Sequence, residues 1–263
     1  MKPFRIIPVL LIRNRELVKT YQFRRPRYLG DPINATRIFN DKEVDELTLL
    51  DIEVGLRGRP IDFEHVRQIV SNAFMPIAYG GGIRSLDDMA RLFQLGVEKV
   101  VLGTAAAQNR NLIEAAAKRF GSQSIVVSVD IRRRAHGVYQ VYYSHGRKFL
   151  QLDATQYARQ LENAGAGELL LNDIDRESTM TGYDLDLILR VTQAVTVPVI
   201  ANGGAGSVQD LVRACAVGGA AAAAAGSMFV YVGTLRGILI TYPTEQDILQ
   251  ALDGLVEDEK QHD

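Results

Sequence analysis

Short apolar runs alternate with amphipathic stretches along the whole chain. Eight runs stand out, at residues 5–12, 47–52, 76–80, 99–103, 125–131, 168–174, 198–202 and 221–226. Such compact, nearly continuous apolar segments suit strands buried on both faces. Between them lie helical patterns such as SLDDMARLFQLG (85–96) and SVQDLVRACAVG (207–218). Both open on Ser followed three residues later by Asp, an N-cap with an acidic first turn. Eight βα units in about 250 residues predict a single (β/α)8 barrel. A doubly wound open sheet is the alternative, and the even spacing of the units disfavours it.

The chain also repeats itself. PIAYGGGIRSLDDMARLFQLG (76–96) matches PVIANGGAGSVQDLVRACAVG (198–218) at an offset of 122, and the same offset carries ELTLLDI (46–52) onto ELLLNDI (168–174). Two half-barrels of four units, about 1–123 and 124–252, would produce this pattern and leave 253–263 as a tail expected to be disordered. With a three-residue loop adjustment VLLIR (9–13) falls on SVDIR (128–132), which makes Leu11 the counterpart of Asp130. One half has a carboxylate at the end of its first strand and the other has none.

Composition narrows the function classes. The formal net charge is -1, with no basic excess for sequence-independent nucleic-acid binding. A single cysteine, Cys215, excludes an internal disulfide, fits a reducing cytoplasm and sits in a helical pattern as an inert core thiol. Residues 216–234 lack charge, but they are mostly Ala and Gly, too weakly apolar for a membrane span. They read instead as a helix end, a buried strand and a phosphate-type turn. His65, His136, His145 and His262 show no ligand spacing, so neither a metal nor a cofactor is expected, and no ATP-binding G-x-x-x-x-G-K-[ST] occurs.

The candidate chemistry gathers at strand ends. YGGGI (79–83) with LGT (102–104) closes one half, and ANGGAG (201–206) with AGS (224–227) closes the other. Glycines after a strand let backbone N–H groups approach an anion, and both halves have them, so a ligand with anions at two ends is expected. Asp130 would serve as general acid or base, or else cap a helix or pair with Arg132. Glu177, Ser178 and Thr179 would contact a phosphate or form a solvated turn. The segment 19–28, with Lys19, Arg24, Arg25 and Arg27, is a mobile basic lid or a solvated loop; Arg132, Arg133 and Arg134 also lie at this mouth. Arg5, Glu46, Lys99 and Glu168 stand at strand starts, where two ion pairs would plug the barrel floor or gate it.

RIIP…LVK, GDPI, DEL.LLDI, GGGI, GVEKV, FGSQSIVVSVD, GAGELLLNDIDR, GYD and GGAG together resemble the cyclase (synthase) subunit of imidazole glycerol phosphate synthase, from about Arg5 to Leu252. That resemblance implies a cytoplasmic, lyase-type synthase that takes ammonia from a glutaminase docked at its N-terminal face. The ammonia would cross the barrel to a two-phosphate substrate at the other end. Arg5, Glu46, Lys99 and Glu168 match the family's gate and Glu98 its glutaminase contact. Lys19, Gly82, Thr104, Gly204 and Ser227 match substrate or phosphate positions, with Gly203 and Gly226 expected beside them in the glycine loops, and Asp130 matches one of two catalytic aspartates.

Four positions depart from that pattern. Leu11 replaces the second aspartate, Gly103 an Asn, Asn172 a Thr, and Glu177–Ser178 an Asp–Gly pair. IPVLLI, LVKT, GDPINA.RIFN and ITYP (240–243) are similar to an acetamidino-modification branch associated with surface polysaccharide. For that branch the resemblance implies a glutaminase partner, an ATP-dependent sugar amidotransferase and a nucleotide-sugar ligand. The alternatives are a histidine-pathway cyclase, a non-catalytic ammonia conduit that activates its glutaminase, and a phosphate-binding barrel with no glutaminase.

Overall fold

The computed structural model describes residues 3–260 of the chain. Eight parallel strands form its frame: β1 (Arg5–Arg13), β2 (Leu47–Asp51), β3 (Ile77–Gly80), β4 (Lys99–Leu102), β5 (Ile125–Arg133), β6 (Glu168–Asp173), β7 (Val199–Asn202) and β8 (Ala222–Ala225). Each pairs in parallel with the next, and β8 returns to β1 in the register Arg5–Ala222 to Pro8–Ala225. The ring therefore closes, and the architecture is a (β/α)8 barrel rather than an open sheet. Every strand lies within two residues of the run that predicts it.

Strand alternation divides the core in two. On β1, Ile6, Leu10 and Ile12 face the helices, where most of the apolar residues collect. Ile7, Val9 and Leu11 face inward, against Val101, Val126, Leu170, Ile200, Ala222 and Ala224. On β5 the residues between Val127, Val129 and Ile131 face inward, so Asp130 shares the inner face that Leu11 holds on β1.

Both half-barrels cap their helices alike. Ser85 and Ser207 each accept from the backbone N–H three residues on, while Asp88 and Asp210 reach back, completing capping boxes on Leu86–Gln94 and Val208–Ala216. Replacing either serine by Ala should cost about 1 kcal/mol in urea denaturation, with similar losses at the two sites.

Two antiparallel excursions rise from corresponding places. β1 continues through Glu16–Tyr21 and Arg24–Gly30; β5 continues through Tyr139–Tyr143 and Lys148–Asp153. Residues 19–28, expected as a mobile lid or solvated loop, are instead paired strands with a tight turn. Residues 132–134 likewise run from β5 into its hairpin, with Arg132 bonded to Asp175 at 3.1 Å. The C-terminal helix Glu245–Lys260 occupies most of the segment expected to be a disordered tail, and residues 261–263 lie outside the described residues.

Candidate functional site

The barrel's N-terminal end is closed by charge. Arg5 bonds Glu46 at 2.6 Å and also Glu168, and Lys99 bonds the same two carboxylates at 2.8 and 2.9 Å. The expected two ion pairs are one closed ring of alternating sign, because inward-facing positions on four strands converge at one level. Both glutamates are buried, and Glu46 Oε1 has no hydrogen-bond partner among the described residues. Beneath the ring, Tyr242 of the ITYP segment donates to the Ile6 carbonyl at 2.9 Å and to Asp45 at 3.1 Å. Asp45 in turn accepts from Ile6 N at 2.8 Å, so the ends of β1 and β2 that carry Arg5 and Glu46 are tied together. Glu98 is exposed beside Lys99 on this outer face.

Above the ring the bore is largely apolar, walled by Ile7, Val9, Leu11, Ala78, Val101, Val126, Leu170 and Ile200, with Thr48 on the same inner face. It opens into a cavity of about 400 Å³ at the C-terminal mouth. Asp130 and Leu11 both line that cavity. Asp130 accepts from Ser128 Oγ at 3.0 Å and Asn172 Nδ2 at 3.2 Å, and Asn202 Nδ2 donates to Asn172 Oδ1 at 3.1 Å. Burial pushes the Asp130 carboxyl up to about 6, against the pull of those two donors, within reach of neutral-pH proton transfer. Leu11 offers no such group and packs against Val18 of the first hairpin.

The two glycine cradles stand at opposite sides of the mouth. Gly82 and Thr104 line one, with Gly103; Gly203, Gly204, Gly226 and Ser227 line the other. Gly81 (φ 115) and Gly203 (φ 95) need glycine twice over, because a Cβ on either would run into the carbonyl of Asp51 or Asp173. Those two aspartates are counterparts at the offset of 122, and each caps the turn after its strand through backbone N–H groups two and three residues on. Burial raises both, Asp173 to about 6.

Lys19 lines the cavity but is already paired within the protein. It is buried and ion-paired to Glu177, which also accepts from Thr20 Oγ1 at 3.0 Å and Phe23 N at 3.2 Å. Glu177 thus fastens the first hairpin over the mouth from a buried position on the cavity wall, rather than forming part of a solvated turn. Ser178 is buried too and bonds Ser227, whereas Thr179 turns back to the Arg176 carbonyl at 2.8 Å. Residues 21–30 and 132–149, the hairpin segments over the mouth, contain three and five basic residues and no acid, while the cavity below them is also lined by Asp51, Asp130 and Glu177.

Phe23, Ser128, His145 and Asn202 also line the cavity without having been singled out from sequence. His145 is isolated in a scattered set of histidines; only the fold of its hairpin brings it over the pocket. Asn202 had a signal in its position at the end of a strand, in the repeat. Among the described residues no group of three or more ligand side chains could hold a metal, and no helix is long and apolar enough to cross a membrane.

The family described as histidine biosynthesis protein matches residues 5–236. A Pseudomonas aeruginosa protein, provisionally named imidazole glycerol phosphate synthase subunit hisF2, is 46% identical over 243 residues, 91% of this chain and 95% of the relative. A Vibrio vulnificus protein, provisionally named subunit hisF3 of the same synthase, is 42% identical over 250 residues, 95% of this chain and 96% of its own. An Alkaliphilus metalliredigens protein named imidazole glycerol phosphate synthase subunit HisF is 42% identical over 227 residues, 86% of this chain and 90% of its own.

Proposed function

The chain belongs to the histidine biosynthesis protein family, and from that membership we propose that it is the ammonia-conducting synthase subunit of a glutamine-dependent amidotransferase. The observation that carries the reading is the axial order of the barrel: charge ring, apolar bore, then a cavity with a glycine cradle on each side. A glutaminase docks on the N-terminal face around Glu98. Ammonia released there crosses the ring of Arg5, Glu46, Lys99 and Glu168. Above the ring, a largely apolar bore favours the neutral molecule over ammonium, since among the described residues no carboxylate stands between the ring and Asp130.

Within the family, the chain serves acetamidino modification of a surface-polysaccharide sugar. A nucleotide sugar, whose diphosphate suits the cradles, is the ligand. An ATP-dependent sugar amidotransferase supplies the activation for which this sequence has no motif. Leu11 supports this branch over histidine synthesis. Closing an imidazole ring needs acid and base on opposite sides of the substrate, and at the position that the internal repeat pairs with Asp130 this barrel presents Leu11. With ammonium salts and the histidine-pathway ribonucleotide, the protein is expected to form no imidazole product; robust turnover would sink the branch assignment and restore the cyclase.

A second reading is favoured by the lock between Lys19 and Glu177, which engages a position that the resemblance assigns to substrate and one where the chain departs from the family pattern. On that reading the barrel is a pure conduit that activates its glutaminase. Assay of Asp130→Asn in the reconstituted complex separates the two, since only a catalytic barrel loses product formation.

A further inference from the structure

Two hairpin tips meet over the cavity, and each holds non-glycine residues in left-handed backbone. Gln22 and Phe23 have φ of 50 and 63 at the first tip; Ser144 and His145 have φ of 54 and 59 at the second, followed by Gly146 at 71. A Cβ on Gly146 would lie 3.5 Å from Phe23 Cδ2, so the tips are in contact. Backbone of this kind persists only where its surroundings over-determine it, and its presence at a cavity is a reason to ask what it positions.

At the first tip the surroundings answer the question. The Glu177 carbonyl accepts from Gln22 N at 3.2 Å and the Glu177 carboxylate from Phe23 N, a latch within the protein. At the second, Ser144 N donates to Thr104 Oγ1 at 3.1 Å, which pins the turn beside the first cradle. The His145 imidazole, however, has no hydrogen bond from the described residues. It lines the cavity with Gly82, Arg84 and Thr104. The position a Gly55 Cβ would take lies 3.8 Å from His145 Nε2 and 3.9 Å from Gly82 N, which puts both nitrogens within the span of one bridging phosphate. Burial, reinforced by Arg147, lowers the ring to about 4, so near neutral pH it carries one N–H donor and one acceptor.

We propose that His145 contacts the ligand directly, its imidazole donating a hydrogen bond to a phosphate oxygen of a phosphorylated molecule seated on the first glycine cradle. This rests on the anion-binding reading of the cradles. The left-handed turn is then the device that aims the ring downward, and a bound phosphate ties the β5 hairpin to the barrel rim.

The test is titration of the full chain with inorganic phosphate, followed by NMR of the Gly82 and Gly204 amides and of the His145 ring. All three signals should move, and the Gly82 and His145 signals should saturate together. His145→Asn and His145→Gly should each weaken phosphate binding at the first cradle by about tenfold. Asn and Gly both accept left-handed backbone, so the turn survives in either variant. A purely structural histidine would leave binding unchanged in them, or tighten it in the glycine variant. Movement of the cradle amides without the ring, or wild-type binding by both variants, overturns the proposal alone. If neither cradle responds, the anion reading fails and the proposal falls with it.

Discussion

Replacing Lys99 by Met lowers the stability of the barrel by about 2–4 kcal/mol, read as a fall in the urea midpoint. The floor ring is neutral as it stands, with two cations against two carboxylates. Lys99 bridges both glutamates, and its side chain is 19% exposed. Its loss leaves Glu46 and Glu168 sharing Arg5 alone, with excess negative charge at buried sites. Glu46 tolerates this least, since its Oε1 already has no partner among the described residues. Arg5, with a third of its side chain exposed, is better solvated, and its removal should cost less. The Lys99→Met, Glu46→Gln double variant restores neutrality around the Arg5–Glu168 pair, and should recover at least about 1 kcal/mol. A single variant within about 0.5 kcal/mol of wild type would mean that the ring contributes no electrostatic closure.

The ring also shows where sequence reasoning stops. Four charged residues at strand starts were visible in the pattern, and the barrel that brings them together was predicted from the eight apolar runs. Their order around the floor was not, because the stagger between strands decides which carboxylate faces which cation. The counterpart relation of Leu11 and Asp130 was legible through the internal repeat, and both indeed occupy the inner face. The fate of Lys19 was hidden for another reason. Its partner Glu177 lies 158 positions away, and nothing local distinguishes a lysine that meets a ligand from one that meets a carboxylate. The strand Arg24–Gly30 escaped notice because it is charged and exposed for five residues, with none of the alternation that marks a half-buried strand. His145 carried no signal at all: a lone histidine acquires meaning only when a left-handed turn aims it at a cavity.

Asp130→Asn should stabilise the protein above about pH 6 while leaving it unchanged below about pH 4. The carboxyl titrates near 6 in the fold against 3.8 for the ordinary group. Between those values the folded chain holds a proton that the unfolded chain has released. Stability therefore falls as pH rises through the window, and is level above it. Asn abolishes the loss from this group. The full shift corresponds to about 3 kcal/mol. Asp130 is partly open to the cavity, and Asn exchanges the charge-assisted bonds from Ser128 and Asn172 for weaker ones, so a gain of about 1–2 kcal/mol at pH 8 is expected. Part of the wild-type slope should survive in the variant, since burial raises Asp51 and Asp173 as well. Urea denaturation at pH 4, 6 and 8 reads all of this, and equal stabilities at pH 8 would refute a desolvated carboxylate. Such a penalty at the mouth is what a carboxylate kept for chemistry rather than for stability would carry. Loss of product formation accompanying the gain in stability would identify Asp130 as a proton-transferring carboxylate of the barrel.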